Sequence, residues 1–340
     1  MPDLSQPAGW LPLVFLLVMG LAILVYVVLD GYDLGLGILL GFADDAEKDI
    51  MVASIGPFWD ANETWLVLGI GVLLTAFPLA HGVIMGALYL PVAAMLAGLI
   101  LRGVAFDFRV KAEAHHKPWW NRAFCAGSLL AALSQGYMLG LLVVGFERTT
   151  IHVLFAAFIG LCLAAGYVLL GAGWLLIKTE GALQQRAARW AGAALWFTAF
   201  GIAAVSVATP LLSRAIFDKW FAIPNLFLLA PIPLITATLF GLSALVLARL
   251  PAQLERGNQA WTWVPFAAAV GVFILAFHGL AYSLFPWIVP QRMDLWQAAA
   301  APGSLLFILV GVVTVLPMII AYTVFAYRVF WGKATDLEYG

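Results

Sequence analysis

Two carboxylates interrupt a stretch of sequence otherwise suited to the interior of a membrane. Gly56-Pro57-Phe58-Trp59-Asp60-Ala61-Asn62-Glu63-Thr64-Trp65 lies in an apolar run from Ile50 to Phe77, and roughly 20 apolar residues suffice to cross a bilayer. An ionised acid at the centre of such a run costs about 2.5–3.5 kcal/mol. That cost is tolerated where the acid is paired, protonated or turned to a wet path. Asp60 and Glu63 are three residues apart, so a helix puts them on one face. Asn62 adds an amide, and Trp59 and Trp65 flank the acids with rings whose N–H groups need partners. Pro57 lacks an N–H just before Asp60. It either opens the helix so that water or a carbonyl reaches the acid, or supplies a kink needed only for packing.

Other ionisable residues stand inside or beside neighbouring apolar runs: Asp30 and Asp33, then Arg102, then Asp107 and Arg109. Asp60, Glu63 and Arg102 together suit a proton inlet or a pocket for a polar head group, because partial burial raises a carboxyl pKa toward neutrality. The bland alternative is a buried ion pair that fixes helix packing. Asp30 and Asp33 are expected near the interface, either as a proton antenna or as solvated helix-end residues that orient Tyr32. Asp107 and Arg109 read as an interfacial ion pair.

The elements that must hold these residues are helices. Of 340 residues, 64% are hydrophobic and 10% charged, against about 25% charged in a soluble domain. Backbone groups in lipid must be satisfied within the segment, so the apolar runs are helical. Nine runs can be marked, near 10–41, 50–77, 79–107, 119–146, 151–177, 187–209, 224–249, 261–286 and 303–330. The fold class expected is an all-α polytopic membrane protein with about nine transmembrane helices. Its single membrane domain divides into a four-helix bundle at 1–146 with the polar cluster, a second at 147–286, and a ninth helix with its tail at 287–340. Gly31/Gly35, Gly37/Gly41, Gly82/Gly86 and Gly136/Gly140 repeat a spacing that allows close helix approach. No Lys or Arg precedes the first run, which is read as a retained span and not a signal peptide.

Basic residues set the orientation. Connections on the side of the N-terminus hold four (Arg148, Arg214, Lys219, Arg292), and those on the other side hold twelve. The N-terminus is therefore expected in the periplasm and the C-terminus in the cytoplasm. In that arrangement Asp30, Asp33, Asp60, Glu63, Arg102 and Asp107 share the cytoplasmic half of the first three spans. A net charge of −1 offers nothing to a nucleic acid. Cys125 and Cys162 lie apart in apolar runs and read as packing residues. No metal site is expected. The five histidines include no spacing that compels a haem, since axial ligation takes His with His or Met from facing helices. By residues alone two classes fit: a proton-conducting subunit of a redox complex, and a proton-coupled secondary transporter using Asp60, Glu63 and Arg102. A purely structural partner is a third. Confinement of the acids to the first three spans favours the accessory subunit, because transporters more often place broken helices in both halves.

The Gly56–Trp65 stretch, with Asp30-Gly31-Tyr32-Asp33-Leu34-Gly35 and Leu101-Arg102-Gly103-Val104-Ala105-Phe106-Asp107-Phe108-Arg109, resembles subunit II of cytochrome bd-type quinol oxidases in order and spacing. Beyond about residue 120 the likeness is mainly one of hydropathy, with Pro317 and Tyr322 in the final span. The resemblance implies a complex of the bacterial inner membrane that oxidises quinol, reduces dioxygen to water and draws protons from the cytoplasm without pumping. It implies that haems b558, b595 and d, or b in place of d, belong to a partner subunit I and not to this chain. In this chain it implies no catalytic residue, a proton route through Asp60, Glu63, Asp30, Asp33 and Arg102, an oxygen path near Trp65, and a tightly held quinone near Trp59 and Arg102. A small single-helix subunit and membrane lipid complete the implied partners. The short loops look most like the cyanide-insensitive branch.

Overall fold

The computed structural model describes residues 3–113 and 115–334. The chain runs through α1 (Pro7–Leu39), α2 (Asp45–Ile55), α3 (Trp59–Ala76), α4 (Pro78–Lys111), α5 (Lys117–Val143), α6 (Thr150–Lys178) and α7 (Gly181–Leu212). It continues through α8 (Arg214–Phe221), α9 (Asn225–Leu229), α10 (Pro231–Glu255) and α11 (Val264–Leu284). A two-stranded hairpin, β1 (Trp287–Val289) and β2 (Met293–Asp294), leads to α12 (Leu295–Ala298) and α13 (Pro302–Val329). Eight helical segments among the described residues are long and apolar enough to cross a membrane. The run expected as a span at 50–77 folds in two pieces, α2 and α3, and is not among those eight.

Contacts divide the chain into two units. One holds residues 3–30, Pro57–Leu88 and Leu284–Trp331; the other holds Gly31–Gly56, the described part of Tyr89–Ser283, and residues 332–334. In the first unit, Ala22 and Tyr26 of α1 pack on Trp65 of α3, with Leu316 and Ile319 of α13 closing the cluster. The connection between the runs marked at 261–286 and 303–330 folds as the hairpin and α12. Asp294 caps α12 by accepting from the Trp296 and Gln297 backbone N–H groups, and Gln297 returns a bond to the Asp294 N–H, a reciprocal capping box. The Trp296 indole donates to the Gly9 carbonyl at 2.9 Å, and the Ala300 N–H donates to the Ala76 carbonyl at 2.8 Å. These bonds tie the hairpin end to the start of α1 and the end of α3.

In the second unit, small residues let helix backbones touch. Gly35 of α1 lies against the Tyr167 carbonyl of α6, so that a Cβ there would overlap it. Gly136 of α5 meets Gly160 of α6, where a Cβ would come within 2.6 Å of the Gly160 Cα. Gly82 and Gly86 share the same spacing, yet a Cβ at either would meet nothing within 4 Å. Among the described residues the motif thus brings backbones together in α1 and α5 and meets no neighbour at Gly82 and Gly86 of α4, because the spacing permits close approach without requiring it. The connection expected near 210–223 is largely helical: α7 continues past Pro210 to Leu212, and α8 follows. Ile216 of α8 packs on Val143, Phe155 and Ile159, and the Trp220 indole donates to the Ser283 hydroxyl at 2.7 Å.

Close backbone contact makes a direct prediction. Gly35→Ala should destabilise the protein by about 1–3 kcal/mol through overpacking, read as a lower apparent Tm. Gly82→Ala should leave the Tm unchanged or slightly raised. Equal effects would show that contact with Tyr167 is not what Gly35 provides.

Candidate functional site

The site begins with a helix that stops. Asp44 and Glu47 form a capping box at the head of α2. Arg186 of α7 donates to Asp44 and lies 3.2 Å from a Glu47 oxygen. That hydrogen bond, with the charge of the guanidinium, holds the Asp44 carboxyl below the usual carboxylate range. At the other end of α2 the last regular bond runs from the Gly56 N–H to the Val52 carbonyl at 3.1 Å. Pro57 then has no N–H to continue the ladder. The Ser54 carbonyl accepts instead from the Trp174 indole of α6 at 3.2 Å. A turn at residues 56–58 separates α2 from α3. The helix is broken at Pro57, as both sequence readings of this residue allow.

The break gives α3 an N-terminus inside the apolar run, and Asp60 sits in its first turn. A helix N-terminus carries partial positive charge and favours a carboxylate there, by about 0.3–1 kcal/mol at an exposed position. Asp60 is exposed and Glu63 half-buried, whereas Asn62 is 1% exposed. The three residues therefore do not form one buried group. Asn62 turns inward, where its amide N–H donates to the Leu29 carbonyl at 3.4 Å and its oxygen accepts from the Tyr327 hydroxyl at 3.2 Å. Phe58 stacks on Tyr327 with ring centroids 4.5 Å apart. Trp59 is half-buried. Trp65 is packed against Ala22 and Tyr26, and its buried indole N–H meets no hydrogen-bond acceptor among the described residues. Tyr327 is the residue that sequence reading missed. Its only signal is an aromatic ring near the end of the last span, and nothing in the sequence links it to Asn62.

Asp30 belongs to the same unit as Asp60 and Glu63, while Asp33 and Arg102 belong to the other. Asp30 and Asp33 are completely buried, inside α1 and not at a solvated helix end. Between them Tyr32 stacks on Trp174 at 4.4 Å. Arg102 is 1% exposed. Its stretch of α4 is set by backbone contact with α5, since a Cβ on Gly127 would lie 2.8 Å from the Arg102 nitrogen. The expected Asp107–Arg109 pair is replaced. Arg109, 4% exposed, pairs with Asp49 of α2 at 2.8 Å and donates to Asn121 of α5, whereas Asp107 points outward. Two residues apart on a helix, their side chains diverge by about 200°, so a local pair was disfavoured from the start.

Comparison with known proteins decides the family. Residues 11–330 match the family model described as cytochrome bd terminal oxidase subunit II. The chain belongs to this family. It is 28% identical over 352 residues to a Bacillus subtilis protein named cytochrome bd ubiquinol oxidase subunit 2, with 97% of each chain covered. It is 26% identical over 367 residues to the Escherichia coli protein named cytochrome bd-I ubiquinol oxidase subunit 2, with 95% of each covered. The bd oxidase structure from Geobacillus thermodenitrificans has the same fold, with a TM-score of 0.74 at 17% identity over 94% of this chain and 98% of that one.

A bd oxidase complex contains haem, and axial ligation takes His with His or Met from facing helices. The His152 Nδ1 lies 3.0 Å from the Thr149 hydroxyl and 3.3 Å from a Glu147 oxygen, at the head of α6. His278 is on the outer surface of α11 with its Nδ1 against the Ile274 carbonyl at 2.7 Å. His115 and His116 lie on the turn before α5, outside the spanning helices. His81 stands in the first turn of α4.

The buried guanidinium yields a test. Asp49→Asn should cost about 1–3 kcal/mol, since it leaves the Arg109 charge without its anion. Asp107→Asn should stay within about 0.5 kcal/mol of the parent, as surface changes do. Thermal unfolding of the two variants compares them directly, and the reverse order would restore the local Asp107–Arg109 pair.

Proposed function

We propose that this chain is the haem-free subunit of a quinol:oxygen oxidoreductase, supporting a haem-bearing subunit I and leading protons toward it past Asp60. The observation that carries this reading is the outward position of Asp60 at the head of α3. Asp60, Thr64, Val67 and Leu74 form one exposed stripe at helical spacing. An ionised carboxylate at the head of such a stripe is costly against lipid and acceptable against a polar or hydrated protein surface. The partner that family membership supplies is subunit I, and the names of the relatives supply quinol as the reductant. The stripe is then the face that subunit I covers, with Asp60 at the seam.

In this reading each residue has a limited task. The Pro57 break frees backbone groups and keeps water near Asp60. Asp60 holds and releases the proton at the head of α3. Half-buried Glu63, one turn further along, is the next acceptor. Asn62 and Tyr327 take no proton but fix the first turn of α3. Buried Asp30, Asp33 and Arg102 complete the route in the wider reading. Trp59 and Arg102 at a bound quinone, and Trp65 beside an oxygen path, rest on the family resemblance alone. When bound in subunit I, the haems supply electron transfer and oxygen reduction. Protons enter from the cytoplasm, given the basic-residue asymmetry that puts the N-terminus in the periplasm of a bacterial inner membrane. Charge separation then arises from proton uptake and not from pumping. Family membership favours this reading over the proton-coupled transporter.

Asp60→Asn should lower quinol-driven oxygen uptake by about tenfold or more, as loss of a positioned proton carrier does, or shift its pH profile, with haem content unchanged. Full turnover across the pH range would remove Asp60 from the route. Loss of haem would assign it to assembly instead.

A further inference from the structure

We infer that the turn between α4 and α5 binds a divalent transition-metal ion of the imidazole-preferring class, such as zinc or copper(II), through Glu113, His115 and His116. These three side chains present ligand atoms that all lie within 4.8 Å of one another. A Glu113 oxygen is already 3.4 Å from the His115 Nδ1. Bonds of about 2.0–2.2 Å to a tetrahedral zinc put neighbouring ligand atoms about 3.4 Å apart. One pair is therefore at ligating separation, and the third atom closes by side-chain rotation. The two imidazole rings lie with centroids 3.8 Å apart.

The backbone holds this arrangement. The His116 N–H donates to the Glu113 carbonyl at 2.9 Å, and the Lys117 N–H reaches the same carbonyl at 3.3 Å. Glu113 and His116 are thereby fixed across one turn. Imidazole with carboxylate is a donor set that suits zinc, copper and nickel and does not suit magnesium or calcium. Three protein ligands leave a position for water. All three side chains are exposed, so an ion enters from solvent without crossing the bundle.

Nearby cations oppose such an ion, and their placement limits that opposition. Lys117 lies 3.5 Å from Asp49 and Arg109 lies 2.8 Å from the same carboxylate, so Asp49 offsets charge from both. Arg122 lies over the Trp119 ring at 5.4 Å. Lys111, at the end of α4, is the remaining lysine close in sequence. A bound ion would join the end of α4 to the start of α5, next to the Asp49–Arg109 pair that secures α2. This site is independent of the oxidase reading and of the proton route.

The test uses the untagged, purified complex, stripped with chelator and equilibrated with Zn²⁺, with bound metal counted by mass spectrometry. The parent should retain one equivalent more than a His115→Ala/His116→Ala double variant. With Cu²⁺ in place of Zn²⁺, electron paramagnetic resonance should show coupling to imidazole nitrogen that the variant loses. His116→Ala alone, in which Glu113 and His115 remain, should give a single-nitrogen spectrum and covers the case where the double variant fails to assemble. Equal zinc equivalents in parent and double variant, or an unchanged copper spectrum in either variant, would overturn the assignment.

Discussion

Proline 57 cannot donate a backbone hydrogen bond, and much of the arrangement around the acids depends on that missing donor. An uninterrupted helix from Asp45 to Ala76 would place Asp60 in mid-helix, where its charge has no compensating dipole. The break turns Asp60 into a first-turn residue of α3, where the unpaired N–H groups of the helix end favour negative charge. One carbonyl at the break has a side-chain donor, because Trp174 donates to the Ser54 carbonyl. One proline thus converts an expensive position for a carboxylate into a supported one, and a tryptophan more than a hundred residues later keeps the end of α2 in place.

The supports around the break are of two kinds. On α2 they are ionic: Arg186 holds Asp44 and Glu47, and Asp49 holds Arg109 and Lys117. On α3 they are short-range and polar: Asn62 joins the Leu29 carbonyl to the Tyr327 hydroxyl, with Phe58 stacked on the same tyrosine. The ionic supports lie at the edge of the apolar region, where exposed carboxylates are inexpensive. The amide and phenol supports lie within it, where a neutral hydrogen bond costs less to bury than a charge.

Asp60 and Glu63 also show why position on a helix does not define a role by itself. Their spacing puts them on neighbouring parts of one face, yet one is exposed and the other half-buried. Asn62, between them in sequence, faces the opposite way and is buried. The two acids therefore sit at different distances from whatever covers the exposed stripe of α3. An outer and an inner carboxylate in sequence suit passage of a proton better than a closed ion pair would.

The sequence by itself determined the class of the protein, the approximate extent of its spans and the place where one breaks. Lipid leaves a backbone no option but the helix, and a proline's missing N–H acts locally, so neither needs a neighbour to be read. The motifs around Asp30, Asp60 and Arg102 also carried the family resemblance that residues 11–330 bear out. Only the tertiary structure decided which face of each helix is covered. Membrane helices are apolar all round, so the periodicity that separates inside from outside in a soluble helix is weak here. Hence Asp30 and Asp33 proved fully buried where interfacial positions were expected, and Arg109 found Asp49 in place of Asp107. Asn62 found a tyrosine 265 residues away. Such partners are set by packing between distant segments, and packing is not written in the spacing of any one of them.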